Sequence, residues 1–194
     1  VFATGTVPPA REFTVTPQVS GKIIRVSDAM VTGGFFKEGD LLFTIEKADY
    51  QLAVQRSEAT LAKAEVDLAT VQGQALVARQ EWDRLDLKED TPPAPLVLFE
   101  PQLKNARAAV ASARAALEQT RLDLSRTDLR APFNCRVRTE QVEIGQYVRA
   151  GSAVATLAGT DRAEVIVPLP YDDLRWLNIP RAGEQGEGTL ATIT

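Results

Sequence analysis

Few side chains in this sequence are of the types that carry out chemistry. Histidine, the commonest general base and metal ligand, is absent from all 194 residues. Cys135 is the single cysteine, which excludes an internal disulfide and a zinc site built on several cysteines. Met30 is the single methionine, which disfavours a soft-metal site. Carboxylate pairs such as Glu81 and Asp83 lie in polar sequence with no pocket pattern around them. The sequence therefore predicts no catalytic residue, no metal and no cofactor, and a protein that is not an enzyme.

Charge and hydropathy argue against a nucleic-acid partner and against a membrane-spanning helix in this sequence. The net charge is -4, and the Lys and Arg residues are scattered rather than clustered, so nucleic acid is not expected as a partner. No apolar run approaches the ~18 residues that a membrane-spanning helix needs. The sequence begins at Val1 within a stretch of extended character and ends at Thr194 within a predicted strand. We expect it to be a piece of a longer protein.

Two short stretches look like halves of one β-rich domain. The first runs over residues 14–46 and the second over 128–160, and both alternate apolar and polar residues between glycine turns. They align with one another, Gly39 falling on Gly151, Leu42 on Val154 and Ile45 on Leu157. Short strands of this kind cannot form a core alone. The pattern predicts that the two halves combine into one domain.

The residues between the two halves have the heptad spacing of an antiparallel coiled coil. We expect helices over roughly 48–87 and 101–127, because apolar residues recur there every seven positions with a second stripe three positions later. The chain should fold back at Glu89–Pro95, where prolines end a helix. We expect ion pairs at i,i+4 on the exposed faces, such as Lys63 with Asp67 and Arg79 with Asp83. The predicted seam contains Val54, Leu61, Leu68, Val71 and Trp82 on the first helix and Leu103, Val110, Leu117 and Leu124 on the second.

The remaining residues have the pattern of a small β-barrel that is only begun. A strand is predicted over Ala163–Leu169, a short helical turn over 172–177, and another strand from Thr189. The predicted fold class is thus an elongated α+β protein with three parts. They are a β-sandwich over 14–46 plus 128–160, a helical hairpin over 47–127 with its tip at about 88–100, and a partial β-barrel over 1–13 plus 161–194.

This order of parts resembles the periplasmic adaptors, or membrane fusion proteins, of tripartite efflux pumps, most closely those of the resistance-nodulation-division type. The resemblance is carried by four segments, namely Pro17–Ile23, Lys37–Leu42, Leu124–Phe133 and Gly145–Val148. It implies a lipoyl-like sandwich and a hairpin that points toward an outer-membrane channel. It also implies an inner-membrane transporter as partner and a ring of copies, a hexamer or a trimer of dimers. The expected location is the periplasm, with an anchor to the inner membrane outside this chain.

The resemblance also assigns roles to particular residues. Hairpin-tip residues that would contact the channel are Arg84, Leu85, Thr91, Leu96 and Leu98, and the lipoyl-like turns would contain Gly21, Gly39, Cys135 and Gly151. Cys135 stands where the family usually has glycine. Arg84 and Leu85 match the first two residues of the Arg–Leu–Ser pattern of many tips, whereas the serine is not matched.

Three alternatives remain at this stage. An adaptor of an ABC-type secretion system has the same order of parts but tends to have a longer hairpin. A lipoyl or biotinyl carrier with an inserted helical arm would need a modified lysine at the turn between the two halves, and Lys47 lies close to that point. A purely structural coiled-coil scaffold would depend on no transporter.

Overall fold

A computed structural model describes residues 4–84, 98–176 and 178 of the chain. It contains a β-sandwich interrupted by a helical hairpin, which confirms the predicted fold class. Within the described ranges, four strands precede the hairpin and four follow it. The strands are β1 Glu12–Val15, β2 Gly21–Val26, β3 Phe35–Phe36, β4 Leu41–Ile45, β5 Asp128–Arg130, β6 Cys135–Glu140, β7 Tyr147–Val148 and β8 Ala155–Gly159.

Each sheet of the sandwich takes strands from both halves of the chain. One sheet has the order β1-β8-β6-β3 and the other has the order β5-β4-β2-β7, with antiparallel pairing throughout. The two orders become identical when β1 to β4 are exchanged, in sequence, with β5 to β8. Neither half forms a sheet of its own, so the ends of the inserted hairpin are fixed by the same domain.

Glycines at equivalent turns mark the relation between the halves. Gly39 and Gly151, which the sequence aligned, have φ angles of 84° and 82°. Gly33 and Gly145 repeat the relation six residues earlier, with φ angles of 91° and 92°. These angles lie in the left-handed region, where a side chain costs energy. The same turns therefore recur in both halves.

The core lies between the two sheets. Ile23, Leu42, Phe43, Ile45 and Leu157 are wholly buried there. Burying a large aliphatic or aromatic side chain contributes about 1.5–3 kcal/mol. Because these residues come from both halves, the core forms only when residues 12–45 and 128–159 meet.

The hairpin consists of helix α1, Ala48–Arg84, and helix α2, Glu100–Ser125. Their 37 and 26 residues correspond to lengths of about 55 and 39 Å at 1.5 Å per residue. Both begin within one residue of the predicted positions, and α2 has Pro101 in its first turn. The predicted fold-back at Glu89–Pro95 lies outside the described residues. Among the described helices, none combines the length and apolar character needed to cross a bilayer.

Residues 6–10 pair with residues 162–166 beside the sandwich. Thr6 and Ile166 exchange backbone hydrogen bonds of 2.9 Å in each direction, and Pro9 pairs with Ala163. The predicted strand over Ala163–Leu169 is reduced to isolated bridges, because Pro8 and Pro9 opposite it have no N–H to donate. A short 3-10 helix follows at Tyr171–Trp176. The predicted strand from Thr189 lies outside the described residues.

Candidate functional site

The seam of the hairpin contains the residues that lose most exposure within each helix. Every predicted seam residue on α1 is half-buried, from Val54 to Trp82. On α2 the predicted residue Leu117 is buried, as is Ala113 of the second stripe, while Leu103, Val110 and Leu124 are half-buried. Small residues on the second stripe allow the helices to approach closely. The result is a two-helix rod in which the apolar contact runs along its length.

Two ion pairs between the helices show which residues of α1 and α2 lie at the same height along the rod. Arg121 Nη2 lies 3.0 Å from Glu58 Oε1, and Arg114 Nη2 lies 4.0 Å from Glu65 Oε1. Both pairs place the predicted seam residues Leu61 and Leu117 at nearly the same height along the rod. These pairs are exposed, so each contributes at most about 1 kcal/mol. The predicted i,i+4 pairs are wrong, since neither Lys63 with Asp67 nor Arg79 with Asp83 lies within 4.0 Å. Helical spacing permits such pairs, but long exposed side chains gain too little to be held together.

Toward the tip the rod opens into a cleft of about 880 Å³. One heptad beyond Glu65 and Arg114, Gln72 and Arg107 both line this cleft, and Arg107 forms no ion pair within the described part of the chain. Leu98 is half-buried and lines this cleft. The other lining residues are Ala75, Leu76, Arg79, Glu100, Pro101, Leu103 and Lys104.

Of the five predicted tip residues, the structure describes two. Arg84 is the exposed last residue of α1, and Leu98 lies two residues before α2. Leu85, Thr91 and Leu96 lie outside the described residues. The described part therefore supplies an exposed cation and a cleft-lining apolar side chain at the far end of the rod.

At the base of the rod, the carboxylate of Asp128 connects the two segments in which the chain passes between the sandwich and the hairpin. Asp128 is the first residue of β5, three residues after the end of α2, and its side chain accepts hydrogen bonds from Lys47 Nζ at 2.6 Å and from Thr44 Oγ1 at 3.1 Å. Burial acts to raise the pKa of Asp128, but the bonds from Lys47 and Thr44, together with the charges of Lys47 and Arg130, outweigh it and hold the pKa below its usual value. The ion pair ties the residue before α1 to the residues after α2.

A second contact holds the first turn of α1 to the sandwich. The Tyr50 hydroxyl donates a 2.7 Å hydrogen bond to the Ser20 carbonyl oxygen, and burial raises the pKa of that hydroxyl. The Ser20 hydroxyl accepts a 2.9 Å bond from the backbone N–H of Ala150 in the other half. Sequence reasoning missed Asp128, Tyr50 and Ser20. These partners lie 30 to 130 residues apart, and no local pattern indicates them.

The four residues assigned to lipoyl-like turns divide into two pairs. Gly39 and Gly151 lie in turns with positive φ. Gly21 and Cys135 do not lie in turns, because each is the first residue of a strand, β2 or β6. A Cβ at position 21 would come within 2.5 Å of Ile45 Cγ2, so packing explains that glycine.

Cys135 belongs to the core. It is wholly buried, and its neighbours in the sheet are Phe36 on β3 and Gly159 on β8. Burial raises the pKa of the thiol, and the charge of Asp40 adds to the effect. A buried, protonated thiol is inert. Within the described part of the chain, no group of three or more His, Cys, Asp or Glu side chains is placed to hold a metal ion.

The sequence matches a protein-family model and several known proteins. The family model described as "RND MFP, barrel-sandwich hybrid domain" matches residues 11–159, and MFP denotes membrane fusion protein. The chain is 32% identical to the Escherichia coli K12 protein YdhJ over 185 residues, which are 95% of this chain and 60% of that protein. It is 30% identical to the multidrug resistance protein MdtA of Proteus mirabilis over 189 residues, covering 92% of this chain and 43% of MdtA. The chain therefore spans roughly two fifths to three fifths of the length of these relatives.

Solved structures agree with the sequence relatives. A MacA–MexA chimera that contains the Pseudomonas aeruginosa MexA α-hairpin domain superposes with a TM-score of 0.62 at 26% identity, over 89% of this chain and 56% of the chimera. MacA from Actinobacillus actinomycetemcomitans has the same fold, with a TM-score of 0.62 at 22% identity over 90% of this chain and 57% of MacA. Since the family model covers both halves of the sandwich and the hairpin between them, the chain belongs to the RND membrane fusion proteins, the periplasmic adaptors of efflux pumps.

Proposed function

We propose that the protein links an inner-membrane transporter of the resistance-nodulation-division type to an outer-membrane channel, acting through protein contacts and ring assembly rather than chemistry. One observation carries the proposal. A family model of RND membrane fusion proteins matches a sandwich whose two halves flank a hairpin of 37 and 26 residues. A rod of about 55 Å, held at its base by the Lys47–Asp128 bond, is suited to span a gap.

In this proposal the hairpin tip and the segment that follows the sandwich have different partners. Residues 84–98 at the tip would contact the channel, and the segment after Arg162 would contact the transporter. The protein would work in the periplasm, held at the inner membrane by a segment outside this chain. MdtA, at 30% identity, is named a multidrug resistance protein, which supports drugs as the exported class.

The alternatives predict different results. An ABC-type adaptor would depend on an ATP-driven transporter, whereas the matched family model is that of RND adaptors. A carrier module would display Lys47 for modification, but the Lys47 amine is bonded to Asp128 at 2.6 Å directly before α1. Intact-mass measurement of the full-length protein tests the carrier hypothesis, which requires a mass increment on that lysine.

A resistance assay tests the proposed contact at the tip. The full-length gene is deleted and replaced by Leu85→Asp or by a deletion of residues 90–95. We expect both variants to lose export while keeping wild-type levels in the periplasm. Gln74→Asp is the matched control, because it adds the same charge at an exposed position of α1 away from the tip. Retained resistance in either tip variant would contradict the proposed channel contact.

A further inference from the structure

A groove of about 560 Å³ lies between the sandwich and the residues that pair beside it. One wall is the outer face of the β1-β8-β6-β3 sheet, where Phe35 and Arg136 are exposed. The second wall consists of Val7, Pro9, Arg162 and Ala163. We call the space between these two walls the junction groove. Its volume is within the ~300–1,000 Å³ that small-molecule sites occupy.

Both walls of the junction groove present apolar surface to solvent. Phe35 and Val7 are 67% and 61% exposed. Pro9 and Ala163 add apolar atoms to the second wall. Because the removal of apolar surface from water is favourable, this surface would bind a ligand with an apolar body.

The junction groove is positively charged, although the net charge of the chain is -4. Arg136, Arg138 and Arg162 line it, and none of the described lining residues is acidic. Arg138 is paired with Glu12, whereas Arg136 and Arg162 form no ion pair within the described ranges. A guanidinium group binds an oxyanion through parallel N–H bonds. Two such groups are therefore available to an anion in this groove.

Two neighbours position the guanidinium of Arg136. Phe35 lies directly opposite Arg136 in the β3–β6 pair, and the guanidinium carbon is 5.8 Å from the centroid of the Phe35 ring, a cation–π distance. Gly33 lies beside the same group, since a Cβ at position 33 would be 3.4 Å from Arg136 Nη2. A side chain that is already held in place loses less conformational entropy when it binds a ligand.

The other half of the sandwich has an equivalent cation and aromatic residue without the second wall. Lys22 and Arg136 are the second residues of β2 and β6, and Tyr147 and Phe35 are the first residues of β7 and β3. Lys22 lies opposite Tyr147, which is 66% exposed. Neither of these two residues lines the junction groove. They are therefore matched controls for Arg136 and Phe35.

We infer that the junction groove binds an organic anion with a compact apolar body, a binding site that goes beyond the proposed adaptor function. The apolar body would lie between Phe35 and the second wall. The anionic group would accept hydrogen bonds from Arg136 and Arg162. Since these two arginines come from the sandwich and from the segment that follows it, the ligand would also hold that segment against the sandwich.

Isothermal titration calorimetry on the full-length protein in mild detergent tests the inference. The probe is naphthalene-1-sulfonate, which combines a two-ring apolar body with one negative charge. Naphthalene-1-sulfonamide has nearly the same shape and is neutral, so it measures the apolar contribution alone. We expect one sulfonate per chain, bound about tenfold more tightly than the sulfonamide, a ratio that one charge-assisted hydrogen bond can provide.

Substitutions on the two walls locate the bound probe. Arg136→Gln, and independently Arg162→Gln, should each weaken binding of the sulfonate about tenfold and leave binding of the sulfonamide unchanged. Phe35→Ala should weaken binding of both probes about fivefold, because both lose the aromatic contact. Lys22→Gln and Tyr147→Ala are the controls, and their affinities should stay at the wild-type value. Circular dichroism verifies that each variant is folded.

Three results would overturn the inference. Equal affinities for the two probes would exclude an anion site, and equal effects of the groove variants and their controls would place the probe elsewhere. Absence of binding to the folded wild-type protein would show that the groove is covered in the full-length chain. None of these results bears on the proposed adaptor function, which a lack of co-purifying transporter would refute.

Discussion

The Lys47–Asp128 bond at the base of the rod makes a quantitative prediction. Asp128→Asn keeps the size of the side chain but removes the charge that Lys47 Nζ contacts at 2.6 Å. A charge-assisted hydrogen bond contributes roughly 1.5–3 kcal/mol when it is well shielded. Here Lys47 and Asp128 remain 35% and 27% exposed, and water screens the pair. We therefore expect Asp128→Asn to lower the free energy of unfolding by about 1–2 kcal/mol. For a protein of this size, that corresponds to a fall in Tm of about 3–6 °C.

The pH dependence follows from the direction of the pKa shift. The pKa of Asp128 is lower in the folded protein than the ~3.9 of an unfolded chain. The stabilisation is therefore fully present above pH ~4 and is lost as the pH falls through the lower pKa of the folded state. The deficit of Asp128→Asn should be complete at pH 7 and should shrink below pH ~4.

Thermal denaturation followed by circular dichroism at pH 7 and at pH 3.5 measures this deficit. Asp67→Asn is the control, since Asp67 is exposed on α1 and forms no ion pair within 4.0 Å. A double-mutant cycle with Lys47→Met should give a coupling energy of about 1 kcal/mol. An Asp128→Asn variant with the wild-type Tm at pH 7, or a deficit unchanged in acid, would refute the role of the bond.

Three further predictions concern the seam, the turns and the thiol. Leu117→Ala should destabilise the protein by about 2–5 kcal/mol in chemical denaturation, because Leu117 is 4% exposed in the seam. Leu122→Ala, at an exposed position of the same helix, should cost under about 1 kcal/mol. Equal losses of stability in the two variants would contradict the assigned faces of α2. Gly39→Ala and Gly151→Ala should each cost about 1–2 kcal/mol, since both glycines have a φ near +80°. Markedly unequal losses would contradict the equivalence of these turns. Cys135 should react with a thiol reagent only at the rate of unfolding, and rapid labelling of the native protein would show that it is not buried.

The parts of the fold that depend on local pattern were predicted well. The heptads placed the start of α1 at Ala48 and of α2 within one residue of Glu100, because a period of seven over several turns is a long signal. The alignment of Gly39 with Gly151 anticipated equivalent turns, since only glycine readily adopts that backbone.

The features that sequence reasoning missed depend on distant partners. Asp128 and Lys47 are 81 residues apart, and nothing near either one indicates the other. Cys135 looked like a turn residue because the family usually has glycine there, yet it lies in β6, where Phe36 from the other half supplies its neighbour. The exchange of strands between the halves is a property of the assembled sandwich and leaves no local trace.

The adaptor function is tested most directly by co-purification. The full-length protein is tagged, extracted from Gram-negative envelopes in mild detergent, and its companions are identified by mass spectrometry. We expect an inner-membrane transporter of the resistance-nodulation-division type, together with an outer-membrane channel. Recovery of soluble metabolic enzymes instead, with a mass increment on Lys47, would contradict the adaptor function and favour the carrier alternative.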